Sequence, residues 1–200
     1  MKQKLSIRSI AFIGMLSAIA TILMFIEFPL PFAPSFYQMD LSELPVLIGA
    51  FAFGPAAGIL IELVKVLLHL VIKGTQTAGI GDLANFVIGC SFVVPAGLIY
   101  HFHKTKRDAV AGMATGTLVM VAVGSLMNAF VLLPVYAKAF GMPIDSLVAM
   151  GSAVNANVKD LFGFVMLCVA PFNLLKGAVV SILTFFLYKR ISGIIKGAGK

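Results

Sequence analysis

Two hundred residues of which 60% are hydrophobic and only 12% charged exclude a soluble globular domain, where about a quarter of residues carry charge. A mean hydropathy of +1.04 leaves a single integral membrane domain as the class that fits. The net charge of +7 suits the cytoplasmic face of a membrane better than nucleic acid, because the basic residues gather at the ends of apolar segments.

Six spans are expected, at residues 9–28, 44–53, 56–72, 83–102, 110–136 and 158–188. The basic start of the chain resembles a signal peptide. Its apolar run exceeds the roughly 7–15 residues of a signal core, and the segment reads as an uncleaved first helix. Ala11, Gly14, Ala18 and Thr21, with Ser17 beside them, form a strip of small residues on span one, suited to close helix approach. Gly54-xxx-Gly58 and Gly112-xxx-Gly116 repeat the pattern. Packing inside the chain and docking onto a partner membrane protein both remain open for each strip, with docking favoured for span one.

Loop one, residues 28–45, contains Pro29, Pro31 and Pro34, which suppress helix. Phe32, Phe36, Tyr37, Met39 and Leu41 make it too apolar for a solvated linker, so a lid over an external cavity and a segment lying in the headgroup region are the two readings. Asp40 or Ser42 is placed to cap span two. Span two is too short to cross a bilayer alone, and with span three it forms a hairpin broken at Gly54-Pro55. On span three, Glu62, Lys65 and His69 share one face. Glu62 and Lys65 suit an ion pair or a cavity lining, and His69 an interfacial position. Loop three, residues 73–82, is polar and glycine-rich, and its Thr75 and Gln76 suit hydrogen bonding at a cavity mouth.

Lys2, Lys4 and Arg8, then Lys104, Lys106 and Arg107, then Lys189, Arg190, Lys196 and Lys200 fall on one side of a six-span chain. Asp40, Glu43, Asp82, Asp145 and Asp160 fall on the other, against Lys73, Lys138 and Lys159. Both termini are therefore expected in the cytoplasm. Cys90 and Cys168 sit in apolar runs without metal-binding spacing and read as small buried hydrophobes. No acid pair, nucleophile–base pair or metal cluster suggests an enzyme.

Asn85, Asn128 and Asn173 place amides on three different spans, and Lys176 lies three residues beyond Asn173. Counting back from Lys189 at about 1.5 Å per residue puts Lys176 some 16–20 Å up the helix, near mid-bilayer. A lysine there costs on the order of 2.5–3.5 kcal/mol. No acid stands near Lys176 in sequence, so a bound ligand's acceptors or cavity water are its expected partners. Interhelical bonds are the other role for the amides.

The segments IAFIGMLSAIATILM, PSFYQMDLSELPVLIGAFAFGPAAGILIELVK, GDLANFVIG, GSLMNAF and APFNLLKG resemble the S components of energy-coupling factor (ECF) vitamin transporters, and among these the riboflavin-binding type. The resemblance covers nearly the whole chain. It implies an all-α membrane protein of six transmembrane helices with a pocket open to the outside under loop one. It also implies capture of riboflavin as a bound substrate, with no catalytic cofactor, in the plasma membrane of a bacterium. The implied partners are a transmembrane scaffold subunit and two cytoplasmic ATPases. Binding residues carry over to Asn128, Asn173 and Lys176, and to loop one around Met39, Asp40 and Leu41. The family's alanine-xxx-alanine docking motif stands here as Gly14-xxx-Ala18. Two other readings remain beside this one, a stand-alone proton-coupled transporter using Glu62, Lys65 and His69, and an S component for a different vitamin.

Overall fold

The computed structural model describes residues 7–75 and 79–196. Among the described residues, five helices are long and apolar enough to cross a membrane. They are α1 (Ile7–Phe25), α3 (Pro55–Lys73), α4 (Ile80–His103), the stretch Lys106–Ala139 and the stretch Leu161–Tyr188. The short apolar helix α2 (Glu43–Phe53) stands between α1 and α3. A second short helix, α7 (Ile144–Val154), falls where no element was expected, and it folds back so that Leu147 and Val148 pack with Val158, Phe164 and Cys168. An antiparallel pair of two-residue strands, β1 (Phe28–Pro29) and β2 (Gln38–Met39), closes loop one into a hairpin.

Local sequence explains the boundaries. Gly54 joins α2 to α3 with φ of 98°, a conformation side chains disfavour, and Pro55 then opens α3 where its missing N–H is no loss. Thr105 caps helix α5 (Lys106–Met127) by accepting from the Asp108 backbone N–H, and Asp160 does the same for α8 (Leu161–Phe164) through the Gly163 N–H.

Two stretches widen into a single π-helical turn, at Asn128–Leu132 before α6 (Leu133–Ala139) and at Val165–Val169 before α9 (Ala170–Lys196). Each wide turn ends two residues before a proline, Pro134 or Pro171. A proline displaces the carbonyl four residues back and removes one ladder bond. The wide turn absorbs that misfit without breaking the span.

The bundle is apolar outside and carries charge inside, as expected of a membrane protein. On α3, Leu60, Leu63, Leu67 and Val71 face outward while Glu62, Lys65 and His69 are buried. The core beneath them joins Val46 and Leu47 of α2, Ile61 of α3, Phe92, Val93 and Ala96 of α4, and Met113 and Met120 of α5. Gly112 and Gly116 let α5 lie on the backbone of α4 at Ala96 and Phe92, and Gly58 fits against Ala50 and Val93. Gly58, Gly112 and Gly116 are therefore packing devices within the chain, whereas Gly54 serves the turn between α2 and α3.

The strip on α1 divides. Ser17 and Thr21 are buried and donate to the backbone of Ile13 and Ser17. Ala11, Gly14 and Ala18 are exposed, and a side chain at Gly14 would meet nothing within 4 Å. The grouping of all five on one face is thus corrected: the spacings of three and four separate an outward trio from an inward polar pair.

Candidate functional site: a cavity over a buried ion cluster

A cavity of about 140 Å³ opens between loop one, α2, α4, the first π-turn, α6 and α9. Phe36, Tyr37, Phe172 and Tyr136 give it aromatic walls, with Ile88, Met120 and Leu132 beside them. Asn85, Asn128 and Asn173 supply its amides, and Asp40, Glu43 and Lys176 its charges. The two wide turns have a local consequence here. One begins at Asn128 and the other ends four residues before Asn173, so both site amides stand beside a distorted helical turn, as functional residues often do.

Asn128 donates to the Gly124 carbonyl at 2.8 Å and accepts from the Tyr37 hydroxyl. Burial, with the neighbouring Tyr136 and Cys168, raises the Tyr37 pKa well above the usual phenol value, which keeps it a protonated donor. Asn173 donates to the Val169 carbonyl at 3.0 Å. It fits because Gly124 opposite has no side chain, and a Cβ there would lie 2.8 Å from the Asn173 nitrogen. The Asn85 carbonyl oxygen is buried with no hydrogen-bond partner among the described residues, so it offers an acceptor to a ligand.

Lys176 corrects the expectation of a lysine without a carboxylate. Its Nζ lies 2.9 Å from Asp40 and 3.0 Å from Glu43. Glu43 turns its other oxygen to Lys65 at 3.3 Å, and Lys65 also meets Glu62 at 2.6 Å. Lys65 further donates to the Ser42 hydroxyl at 3.1 Å. Loop one, α2, α3 and α9 are thereby joined by one buried cluster of three acids and two lysines. Gly89 of α4 makes room for the Glu62 carboxylate, since a Cβ at that position would lie 2.7 Å from its carboxyl carbon. Burial pushes the Asp40 pKa up, but Lys176 and then Lys65 pull it down further, and the result is a carboxyl held at about 2.

Other expectations change as well. Asp40 accepts from the Ser42 backbone N–H at 2.8 Å, and the Ser42 side chain makes no capping bond. It serves Lys65 instead, because an uncompensated lysine in that interior is the costlier omission. His69 is buried rather than interfacial, 2.9 Å from Asp82 of α4, since an acid on the next helix turns it inward. Met39 is buried on Ala33 and Phe172 beneath the hairpin, and Leu41 packs beside it. Neither lines the cavity, whereas Gln38 and Asp40 do, since successive side chains of an extended segment point to opposite sides. Thr75 is exposed and accepts from the Gly79 N–H; it closes its own loop and does not line the cavity. Gln76 lies outside the described residues. Among the described residues no group of three or more His, Cys, Asp or Glu is placed to hold a metal ion.

Tyr37, Glu43, Phe172 and Tyr136 were not singled out as site residues. Glu43 had a readable signal: a mid-membrane lysine demands an acid, and Asp40 and Glu43 are an acid pair three apart at the mouth of a span. For Tyr37, Phe172 and Tyr136, aromatic residues among the chain's 17 phenylalanines and 4 tyrosines, composition alone carries no such signal.

Apolar-faced helices around a small, partly polar cavity with a charged base define a multi-pass membrane protein with a small-molecule-sized cavity at one end of its bundle. The sequence matches the family "ECF transporter, substrate-specific component" over residues 8–188. The chain belongs to that family. It is 38% identical to the riboflavin transporter RibU of Staphylococcus aureus (strain TCH60), over 92% of this chain and 90% of the relative. It is 28% identical to the riboflavin transporter FmnP of Bacillus subtilis (strain 168), over 94% and 93%. A solved structure of the S component of a bacterial ECF transporter matches with a TM-score of 0.73 at 36% identity, covering 94% of this chain and 97% of that one.

Proposed function

We propose that the chain captures riboflavin from outside the cell as the substrate-binding subunit of an ECF importer. Its scaffold and two ATPases are separate chains, so this subunit carries no catalysis. The observation behind this reading is three asparagines converging on one aromatic-walled cavity, with Asn85 offering an unused acceptor. The edge of an isoalloxazine presents carbonyl, imide N–H and carbonyl in a row, which amides complement, and its flat faces suit Phe36, Tyr37 and Phe172. Relatives named as riboflavin transporters, aligned over nine-tenths of the chain, support the same ligand.

On this reading α2 is the short member of six membrane elements, both termini are cytoplasmic and loop one is the lid. The cavity of about 140 Å³ falls below the roughly 300–1,000 Å³ of ordinary ligand sites. Tyr37 reaches across it to Asn128, so entry of a tricycle requires the hairpin to lift. Asn128, Asn173 and Asn85 meet the ligand edge, and Asp40 and Lys176 latch the hairpin beside it. Ala11, Gly14 and Ala18 form the outward strip for the scaffold.

Proton-coupled transport is the weaker alternative, because Glu62 and Lys65 are paired with each other, and His69 with Asp82. The test is titration of the purified protein with riboflavin, following the flavin's own fluorescence. Saturable quenching at one flavin per chain is expected, and no quenching at micromolar concentrations would reject the assignment. Uptake that persists without the ATPases and collapses with a protonophore would instead establish the alternative.

A further inference from the structure

A second cavity, of about 840 Å³, lies at the opposite end of the bundle, where α2 and α4 end, α5 begins and α9 passes at Leu183–Tyr188. Phe51, Met113, Leu183, Phe186 and Leu187 give it apolar walls. The exposed Lys104 and Lys106 of the α4–α5 turn also line it, and neither makes an ion pair among the described residues. Thr184 is fully buried on the same wall, with its hydroxyl unpartnered among the described residues. Eight residues of α9 separate it from Lys176, about 12 Å along the helix, so the two cavities are distinct.

We propose that this cavity binds an anionic phospholipid of the surrounding bilayer. An apolar hollow with two uncompensated cations matches an amphiphile, whose acyl chain takes the walls and whose phosphate takes Lys104 and Lys106. A neutral lipid leaves both lysines unpaired, and a soluble anion leaves the apolar walls wet. In a helical membrane protein, basic pockets between spans at the cytoplasmic side suit such headgroups.

The experiment compares phosphatidylglycerol with phosphatidylcholine of identical chains, each added in mixed micelles to the purified protein and counted by native mass spectrometry. One phosphatidylglycerol is expected to be retained with a preference of about tenfold or more, since each lysine near a headgroup contributes roughly a fivefold factor. Lys104→Gln combined with Lys106→Gln should abolish the preference. Ala109→Trp, which fills the wall, should abolish retention of both lipids, and Leu183→Trp repeats that test if Ala109→Trp misfolds. Helix content and flavin binding at the distant cavity check the fold of each variant. Equal retention of the two lipids, an unchanged preference in the double lysine variant, retention by correctly folded Trp variants, or equally strong binding of glycerol phosphate would each overturn the proposal.

Discussion

The latch between Asp40 and Lys176 can be dissected by a double-mutant cycle. Both side chains are more than nine-tenths buried, so solvent screens the pair little. Lys176→Met removes the cation in contact with Asp40, leaving it only the more distant Lys65, and forces Glu43 to rely on Lys65 alone. Removing one partner from a buried pair costs about 3–5 kcal/mol, and at about 2–4 °C per kcal/mol for a chain of this size the melting temperature should drop by roughly 6–20 °C. Asp40→Asn is milder, because Lys176 keeps Glu43 at 3.0 Å; a loss of about 1.5–3 kcal/mol is expected for one charge-assisted bond. The double variant should be little worse than Lys176→Met, giving a coupling of about 1.5–3 kcal/mol. Stopped-flow release of riboflavin supplies a second reading, since Asp40→Asn should speed dissociation about tenfold by freeing the hairpin while the asparagines remain. Single effects that add to within about 0.5 kcal/mol, the range for independent sites, would refute the latch. An unchanged off-rate in Asp40→Asn would remove it from lid closure.

Tyr37→Phe frees the Asn128 oxygen that Tyr37 occupies, and the loss of one neutral hydrogen bond in the unliganded protein, about 0.5–1.5 kcal/mol, should tighten riboflavin binding roughly two- to tenfold by fluorescence titration; weakening would place the hydroxyl on the ligand instead. Gly14→Leu projects into open space on α1 and should abolish uptake in cells while leaving the affinity and melting temperature of the purified protein unchanged, whereas a large drop in melting temperature would return that strip to internal packing. The pH dependence follows from Asp40, whose folded-state pKa of about 2 lies below the unfolded value of about 3.9. Its contribution to stability is complete above about pH 4 and is lost as pH falls toward 2, so thermal stability of the Asp40→Asn variant relative to wild type should be flat from pH 5 to 8. A transition of that difference within this interval would show that another group governs the latch.

The apolar spans could be read along the chain because every helix in a bilayer must satisfy its backbone internally, and that requirement leaves long hydrophobic runs bounded by charges, as between Asp108 and Lys138 or between Lys176 and Lys189. Helix α7 escaped this reading because eleven residues with Asp145 at one end lack the length of a span. Inside the membrane, Glu62 with Lys65 was legible from a spacing of three. The pairing of Lys176 with Asp40 and Glu43 bridges more than 130 residues, and local pattern cannot carry such a contact. Its only trace in sequence is the need for charge balance. Likewise Asn128 and Asn173 stood out as amides in hydrocarbon, but their neighbours Tyr37 and Phe172 became identifiable only when the hairpin was seen lying over α9.

The five-membered ion cluster also constrains how the protein is made. Asp40, Glu43, Glu62 and Lys65 leave the ribosome about a hundred residues before Lys176, a delay on the order of 5–20 s at ordinary rates of synthesis. Until α9 arrives, three acids face a single lysine, and hydrocarbon opposes burial of that imbalance. The start of α2 and the inner face of α3 must therefore stay hydrated, shielded by a chaperone or insertase, or hold a proton during this interval. Arrival of the last helix neutralises them, so maturation of the binding end is tied to completion of the chain.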